Sequence, residues 1–417
     1  MKYLFISLIP FLLLLVFGLI SENYAQVSIT EVKERNEQQV IKPEDLLTLE
    51  LTFGSEIYGT KDEYLLVSPG GIKITNNGDI VLSDMDEYTV KIYDKHGKGK
   101  KIIGRRGQGP GEFIIPPGLS ISPKGYFTAY EFITGYYSIF SPDYKFINKK
   151  RIRSSSLISE DWLINKKIDP KSRVSINNII CLDLSVRIYH LYLRNDDVSR
   201  YILLYEDDTT DVTVILNQKT DEIKNITKNL ISSLTAPIFK WGLLPANRIF
   251  YCQNNEYEYN EKTGWEYTFH IVSLDNFEYK TFKHKFEPVP YSKSFLENVV
   301  STNPNLKKFG KEAEKEREKM QKALKEKKYW SPVQNVMFDR NYVFFILNND
   351  YEKGNNLVEV YDSDADVFVS SFYAPWGDFN DKQPNIINNG YAYNVETDED
   401  GFKVICKYKI NPAVYGK

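Results

Sequence analysis

A glycine-rich stretch with two arginines is the part of the sequence that most invites a chemical interpretation. It spans residues 104–113 and reads Gly-Arg-Arg-Gly-Gln-Gly-Pro-Gly-Glu-Phe. Backbone N–H groups in such a loop can cradle a phosphate, and Arg105 and Arg106 could bind its charge. The alternative is a structural turn that uses four glycines: Gly104, Gly107, Gly109 and Gly111.

The context of this loop favours the structural turn. A dinucleotide-binding fingerprint needs a helix directly after its glycines, but Glu112, Phe113 and soon a Pro-Pro pair follow here. A P-loop needs Gly-Lys-Ser or Gly-Lys-Thr, and this stretch has neither. We therefore expect the glycines to supply left-handed turns and Phe113 to pack between the units on either side. Arg105 and Arg106 remain candidates for ligand binding.

Acidic residues and histidines offer little further chemistry. Asp84 and Asp86 could bind a cation, and Asp84 is our third candidate for binding, although aspartate commonly satisfies the backbone of turns. The four histidines form neither an HxH nor an HExxH pair: His96, His190, His270 and His284. A serine hydrolase motif of the Gly-x-Ser-x-Gly type is also missing from the sequence. The sequence thus predicts no catalytic residues and no metal ligands.

Two segments on either side of the glycine loop match each other. One begins at Gly71 and the other at Gly118, and a single offset also aligns Tyr93 with Phe140. Each segment reads as four short strands with alternating apolar and polar residues, separated by Asn, Asp and Gly. A repeat of this length with four antiparallel strands is typical of one propeller blade.

Weaker copies of the third strand follow along the chain. The position equivalent to Tyr93 recurs at five further places: Phe140, Tyr205, Leu274, Tyr361 and Ile410. The sequence therefore predicts an all-β fold, a six-bladed β-propeller of four-stranded antiparallel blades. A strand-like run at residues 47–53 precedes the first complete repeat, and we expect it to complete the last blade and close the ring.

A charged segment at residues 303–329 interrupts the repeats. Its apolar residues fall at helical spacing, so it predicts an amphipathic helix inserted between blades. Two roles remain open for this helix. It could lie on the propeller surface by its narrow apolar stripe, or it could be a basic arm that binds a partner.

The N-terminus has the anatomy of a secretory signal peptide. Lys2 precedes an apolar run at residues 3–20, and the small residue Ala25 precedes Gln26. We expect residues 1–25 to be removed and the propeller domain to occupy residues 26–417, outside the cytoplasm in the periplasm or the medium. No membrane span would then remain. The alternative is an uncleaved N-terminal anchor, because the run is nearly long enough to span a bilayer.

Composition narrows the classes of function. The formal net charge of -3 gives no electrostatic reason to expect nucleic acid as a partner. The 3 cysteines are too few and too scattered for a disulfide framework, so we expect small buried hydrophobic residues. Aromatic residues are frequent at 14%, which suits a protein built of sheets.

The glycine loop, the Pro-x-Gly that follows it and the recurring Ile-Tyr-Asp turns together resemble the NHL repeat. The match covers residues 71–152 well, and it is similar to exported bacterial six-bladed propellers built from such repeats. The resemblance implies a ring that is often used for binding. It implies no single activity, since relatives include RNA-binding modules, lyases and calcium-dependent lactonases.

We therefore predict an exported, non-enzymatic binding or scaffolding propeller that is a monomer. Its ligand, an unidentified protein or small molecule, would bind at the loop face or the central mouth. We predict no cofactor, although a calcium ion at the ring centre stays open. The alternative function is a metal-dependent, lactonase-like hydrolase or lyase with its site at the ring centre. A third hypothesis is a subunit of an envelope complex that docks through the inserted helix.

Overall fold

The computed structural model describes residues 28–31, 33–34, 41–165, 168–194, 199–207, 212–219, 239–291, 314–315, 318, 322, 329–348, 355–376 and 383–417. These residues form six sheets in a ring, which confirms the predicted six-bladed β-propeller with four-stranded antiparallel blades. The expected signal peptide at 1–25 lies outside the described residues. So does most of the expected insertion, within which the described Glu314, Lys315, Glu318 and Lys322 are helical.

The first three blades follow one another along the chain. Blade 1 consists of β4 (Pro69–Ile74), β5 (Ile80–Asp84), β6 (Thr89–Tyr93) and β7 (Gly99–Ile103). Blade 2 consists of β8 (Gly118–Ile121), β9 (Phe127–Glu131), β10 (Tyr136–Phe140) and β11 (Phe146–Arg151). Blade 3 consists of β12 (Arg173–Cys181), β13 (Val186–Arg194), β14 (Ser199–Asp207) and β15 (Thr213–Lys219).

The other three blades complete the ring. Blade 4 consists of β16 (Phe239–Leu244), β17 (Arg248–Asn260), β18 (Gly264–Ser273) and β19 (Tyr279–Lys285). Blade 5 consists of β20 (Val333–Asp339), β21 (Tyr342–Leu347), β22 (Asn356–Asp362) and β23 (Val367–Ala374). Blade 6 consists of β24 (Ile386–Asn388), β25 (Tyr391–Thr397), β26 (Lys403–Ile410) and, from the N-terminal part of the chain, β3 (Leu47–Phe53).

Short helices lie in the connections between these strands. Two α-helices between blades 2 and 3 are α1 (Ser154–Leu157) and α2 (Glu160–Asn165). Among the described residues, the 3-10 helices are Pro43–Asp45, Glu56–Tyr58, Asp62–Tyr64 and Pro412–Tyr415.

The sequence pattern explains why the blades form where they do. The second strands β5 and β9 are buried along their whole length, because each is covered by neighbouring blades on both faces. The first-to-second turns of blades 1 and 2 place Gly78 at φ +82° and Gly125 at φ +84°, a region that glycine enters without strain. The two matched glycines of the repeat therefore have the same structural role, since each takes the left-handed position of its turn.

Blade 6 is assembled from both ends of the chain. Strand β3 pairs antiparallel with β26, so that Phe53 lies opposite Ile405 and Leu47 lies opposite Ile410. The sixth sheet takes its outer strand from residues that precede blade 1, and the pairing joins the last blade to the first part of the chain.

Two short described strands that precede β3 in the chain lie at the outer edges of blades 4 and 5. Strand β1 (Ser28–Glu31) pairs parallel with β19 of blade 4, and β2 (Lys33–Glu34) pairs parallel with β23 of blade 5. These two short strands cover the outer edges of two blades, and such edges otherwise expose unpaired N–H and C=O groups. We call residues 28–34 the rim strap.

The hydrophobic core lies between neighbouring blades. Between blades 4 and 5 it is mostly aromatic, with Phe250, Tyr267, Phe269, Phe345, Tyr361 and Phe368 all buried. The three cysteines are buried and free, as the sequence predicts: Cys181, Cys252 and Cys406.

Candidate ligand-binding site

The glycine loop joins blade 1 to blade 2, and its four glycines have two different structural roles. Gly104 and Gly111 have φ of +87° and +74°, which is the left-handed region. Gly107 and Gly109 do not, so the expectation of left-handed turns is wrong for these two. A Cβ at Gly107 would overlap the Glu112 carboxylate, and one at Gly109 would lie 2.9 Å from Glu112 Oε2. At both positions the Glu112 side chain occupies the space that a larger residue would need.

Glu112 occupies the place where a phosphate would be cradled. The backbone N–H of Gly109 donates to Glu112 Oε2 at 2.8 Å, and Arg105 Nε donates to Oε1 at 2.7 Å. The Gly109 N–H and then Arg105 lower the pKa of Glu112. Arg106 lies over the Tyr88 ring, 5.2 Å from its centroid. The binding candidates Arg105 and Arg106 are therefore already engaged within or beside the loop.

Phe113 fixes the loop to the core, as predicted. Its side chain is fully buried among residues of both adjoining blades, including Val81 of blade 1 and Phe127 of blade 2. A Cβ at Gly104 would overlap the Phe113 ring, so this glycine is required both by its backbone and by its neighbour. The loop serves the packing of one blade on the next.

Asp84 is a structural residue at the end of β5. Its buried carboxylate accepts hydrogen bonds from the backbone N–H groups of Val67 and Ser68, at 3.0 and 2.9 Å. Lys91 Nζ donates to the same carboxylate at 3.1 Å. Asp84 thereby holds the segment that leads into blade 1. Its contacts among the described residues include neither Arg105 nor Arg106. The three binding candidates are therefore not brought together in one site.

The residue of blade 2 that is equivalent to Asp84 in the repeat is Glu131, and it has the same structural role. Its carboxylate accepts from the N–H groups of Ile114 and Ile115 at 2.6 and 3.1 Å, and Lys149 Nζ lies 3.2 Å from it. The acidic residue at the end of the second strand thus anchors the chain that enters each of the first two blades.

The histidines do not converge. His96 is exposed in a turn of blade 1, and burial among aromatic rings in blade 3 lowers the pKa of His190 to about 4. His270 contacts Thr281 and Glu256 within blade 4. His284 lies beside Glu359. Across the described residues, no group of three or more His, Cys, Asp or Glu is placed to hold a metal ion.

The centre of the ring contains a cavity of about 630 Å³. It opens where the first strands of the blades end, and all six blades contribute to it. One lining residue from each first strand is Lys73, Ser120, Asn178, Leu243, Asn335 and Ile387. We call this cavity the central mouth.

The described lining of the central mouth is rich in amides and contains no carboxylate. Its amide side chains are Asn76, Asn178, Asn335, Gln383, Asn385 and Asn388. Its two cations are Lys73 and Arg340, and Arg340 is 2.9 Å from Asp339 Oδ2. Lys73 is half-buried, has no hydrogen-bond partner among the described residues, and has its pKa lowered by burial. An unpaired ammonium in such a place favours a ligand with negative charge.

Two asparagines add hydrogen-bond donors to the mouth. Asn178 and Asn335 each sit at an irregularity in the first strand of a blade. The side-chain oxygen of each accepts from the next backbone N–H, at 2.8 Å for Ile179 and 2.9 Å for Val336. Their Nδ2 groups have no partner among the described residues and can donate to a ligand. Sequence reasoning missed both, and the available signal was an asparagine within an apolar strand.

Comparison with known proteins agrees with the architecture. A family model described as DUF5128, 6-bladed beta-propeller, matches residues 25–157, which include β3 and blades 1 and 2. The match does not test the resemblance to NHL repeats. No curated protein matches the sequence.

Several solved structures have a similar fold. One is a protein described as exported, from Bacteroides fragilis, with 13% identity, a TM-score of 0.47, and coverage of 92% of this chain and 100% of that one. Another is a DUF4221 family member from Bacteroides vulgatus, with 14% identity, a TM-score of 0.48, and coverage of 89% and 99%. A third is an inactive virginiamycin B lyase from Staphylococcus aureus with quinupristin, at 8% identity, a TM-score of 0.37, and coverage of 82% and 95%.

None of the helices in the described part of the chain has the length and apolar character needed to cross a membrane.

Proposed function

We propose that the protein is an exported, non-enzymatic binding propeller whose central mouth takes a small polyhydroxylated carboxylate. The observation that carries this proposal is the unpaired ammonium of Lys73 in a lining that holds six amides and no carboxylate among its described residues. An anion would supply the partner that the half-buried Lys73 lacks. The Nδ2 groups of Asn178 and Asn335 would donate to the ligand's hydroxyl and carboxylate oxygens.

The enzymatic alternative has less support. A lactonase-like hydrolase or a lyase at the ring centre would need carboxylates or histidines there to hold a metal or move a proton. The described residues of the mouth include neither type. Calcium sites in proteins usually combine carbonyl oxygens with several carboxylates. The described lining of the mouth offers amide oxygens but no carboxylate, and the ammonium of Lys73 would repel the ion, so the proposal includes no cofactor.

Two further parts of the proposal rest on the sequence. The apolar N-terminal run supports export, and nothing in the composition supports a nucleic-acid partner. We expect the mature chain to be a monomer. Docking through residues 303–329 into an envelope complex is the alternative, and a pull-down with and without this segment distinguishes the two.

The test is calorimetric titration of the mature chain with glucuronate and with glucose, which differ in one carboxylate. We expect glucuronate to bind at least about tenfold more tightly than glucose, because a charge-assisted hydrogen bond to Lys73 forms only with the acid. Lys73→Met should remove the difference between the two ligands. Lys145→Met is the matched control, since Lys145 is exposed and lies on blade 2 beside Asp143. Equal binding of both sugars, or a preference that survives Lys73→Met, contradicts the proposal.

A further inference from the structure

A second cavity, of about 480 Å³, lies between blades 4 and 5. It is lined by residues at the beginnings of β18 and β22 and at the ends of β19 and β21, so it opens on the side of the ring opposite the central mouth. It shares no lining residue with the mouth. We call it the interblade cleft.

Aromatic side chains form the walls of the interblade cleft. The four that line it are Trp265, Phe286, Trp330 and Tyr373. A further layer holds the two tryptophans in place, since Trp265 packs edge-on against Tyr329 at 5.4 Å and Trp330 packs against Tyr291 at 4.7 Å. Tyr373 is 51% exposed, and both tryptophans are half-buried, so aromatic surface remains available to a ligand.

A carboxylate also lines the cleft. Glu359 has only 15% of its side chain exposed. Its Oε2 atom lies 3.2 Å from His284 Nε2 and accepts a hydrogen bond from the Tyr267 hydroxyl at 3.3 Å. His284 is itself buried and stacked on Phe368, with ring centroids 3.8 Å apart. The carboxylate is therefore held in one orientation, and its Oε1 atom has no hydrogen-bond partner among the described residues.

The charge of the lining has the opposite sign to that of the central mouth. The charged lining residues of the cleft are Lys285, Glu287 and Glu359, of which the first two are exposed at the rim. One lysine against two glutamates leaves an excess of one negative charge. His284 faces the Oε2 atom of Glu359, and the unused Oε1 atom favours a donor that carries positive charge, because such a donor both satisfies this oxygen and offsets the excess negative charge of the lining.

We propose that the interblade cleft binds an organic ammonium group. The ammonium donates to Glu359 Oε1, and the rings of Trp265 and Trp330 contact the cation and its apolar substituent. This site is separate from the proposed mouth site, and its ligand is of the opposite charge. A neutral carbohydrate is the competing occupant, because sugars also stack on tryptophan, and it is an outcome of the test.

The test uses three probes on the wild-type mature chain: benzylammonium, its neutral counterpart benzyl alcohol, and cellobiose. Saturation-transfer NMR detects binding, and quenching of tryptophan fluorescence gives affinities. We expect benzylammonium to bind at least about tenfold more tightly than benzyl alcohol at neutral pH. Equal affinities for these two, binding of cellobiose in place of benzylammonium, or no binding of any probe would each overturn the proposal.

Variants then assign the binding to the cleft. Glu359→Gln keeps the shape and can still accept from Tyr267, and we expect it to lose the preference for the cation. Asp143→Asn is the matched control, because it makes the same change in net charge at an exposed residue on blade 2. Trp330→Leu provides a second probe of the walls and should weaken benzylammonium binding in a protein whose melting curve shows that it folds. A cation preference that survives both cleft variants, or that Asp143→Asn also removes, places the binding elsewhere and overturns the assignment.

Discussion

Glu112 Oε2 accepts a hydrogen bond from the backbone N–H of Gly109 at 2.8 Å, inside a loop whose sequence resembles an anion cradle. The loop thus contains its own anion, and Arg105 neutralises it at 2.7 Å. A ligand phosphate would have to displace a carboxylate that is already bound on two sides. The loop's own contacts therefore fill the cradle, and its buried Phe113 packs blade 1 on blade 2.

The glycines of this loop should differ in their sensitivity to alanine. Gly104→Ala forces a left-handed alanine against the buried Phe113 ring, so we expect a loss of about 3 kcal/mol. Gly107→Ala displaces only the flexible Glu112 side chain and should cost about 1–2 kcal/mol. Gly118→Ala is the control, since its Cβ would meet nothing closer than 3.8 Å. Urea unfolding of the three variants checks this order.

A double variant isolates the role of Glu112. If Gly107→Ala acts by displacing that carboxylate, its cost should shrink when Glu112→Ala is already present. If the losses of stability from Gly107→Ala and Glu112→Ala simply add, the cost of Gly107→Ala does not come from displacing Glu112. Gly107 would then be needed for another reason.

Asp84 should be far more important for stability than Asp86, its neighbour in the same turn. Asp84→Ala removes the acceptor of two backbone N–H groups and one of the two carboxylates beside the buried Lys91, which keeps Glu87, so we expect a loss of about 2–3 kcal/mol. Asp86 is exposed, and Asp86→Ala should change the free energy of unfolding by less than about 0.5 kcal/mol. Thermal or urea unfolding compares the two. Similar small losses would show that Asp84 does not anchor the entry to blade 1.

His190 should make stability depend on pH in acid. Burial lowers its pKa from 6.5 to about 4 in the folded protein. Between those values the unfolded chain binds a proton that the folded protein does not, so stability falls as the pH is lowered from about 6.5 towards 4. The loss should be on the order of 2 kcal/mol. We expect His190→Phe, beside Phe239 and Trp241, to flatten this slope.

The control for this prediction is the exposed His96, because its replacement by glutamine should leave the slope unchanged. Urea unfolding at a series of pH values from 4 to 7.5 measures both variants. A slope that persists in His190→Phe would assign the acid sensitivity to carboxylates.

Removal of the closing strand should disrupt the whole ring. Deleting residues 26–55 strips β26 of its partner and exposes its edge, so we expect loss of cooperative unfolding and increased light scattering. Deleting residues 26–40 removes the rim strap but keeps β3, and it should lower the melting temperature without abolishing cooperativity. Calorimetry with scattering on both truncations makes the comparison. A monomeric 26–55 deletion that melts like the full mature chain would contradict the role of β3.

The sequence allowed the fold class to be predicted because each blade carries its own turn signals. Gly78 and Gly125 mark matched turns, and an aromatic or aliphatic residue at or next to the end of the third strand recurs even where the rest of the repeat is weak. The candidate sites could not be found in this way. The central mouth collects a few residues from each of six first strands, and Lys73 is unremarkable within its own strand.

The interblade cleft could not be predicted from the sequence for a related reason. Trp265 and Trp330 come from different blades, with the segment 292–328 between them in the chain, and no local pattern joins them. The sequence also did not predict that the Glu112 side chain occupies the glycine loop, because this depends on side-chain geometry and not on backbone preference. The residue types alone made candidates of Arg105, Arg106 and Asp84. In the structure each of them has an interaction partner within the fold.

The pairing of β3 with β26 also has a kinetic consequence. Thr52 and Cys406, which contact each other across these strands, are 354 residues apart in sequence. Synthesis produces β3 before blades 1 to 5 and its partner β26 after them, so blade 6 can form only once all of residues 47–410 have emerged. Closing a loop of this length costs about 5 kcal/mol of chain entropy. Folding should therefore pass through an open arc of five blades, and the lifetime of that arc sets the period during which the chain can be captured by proteases or by other copies of itself.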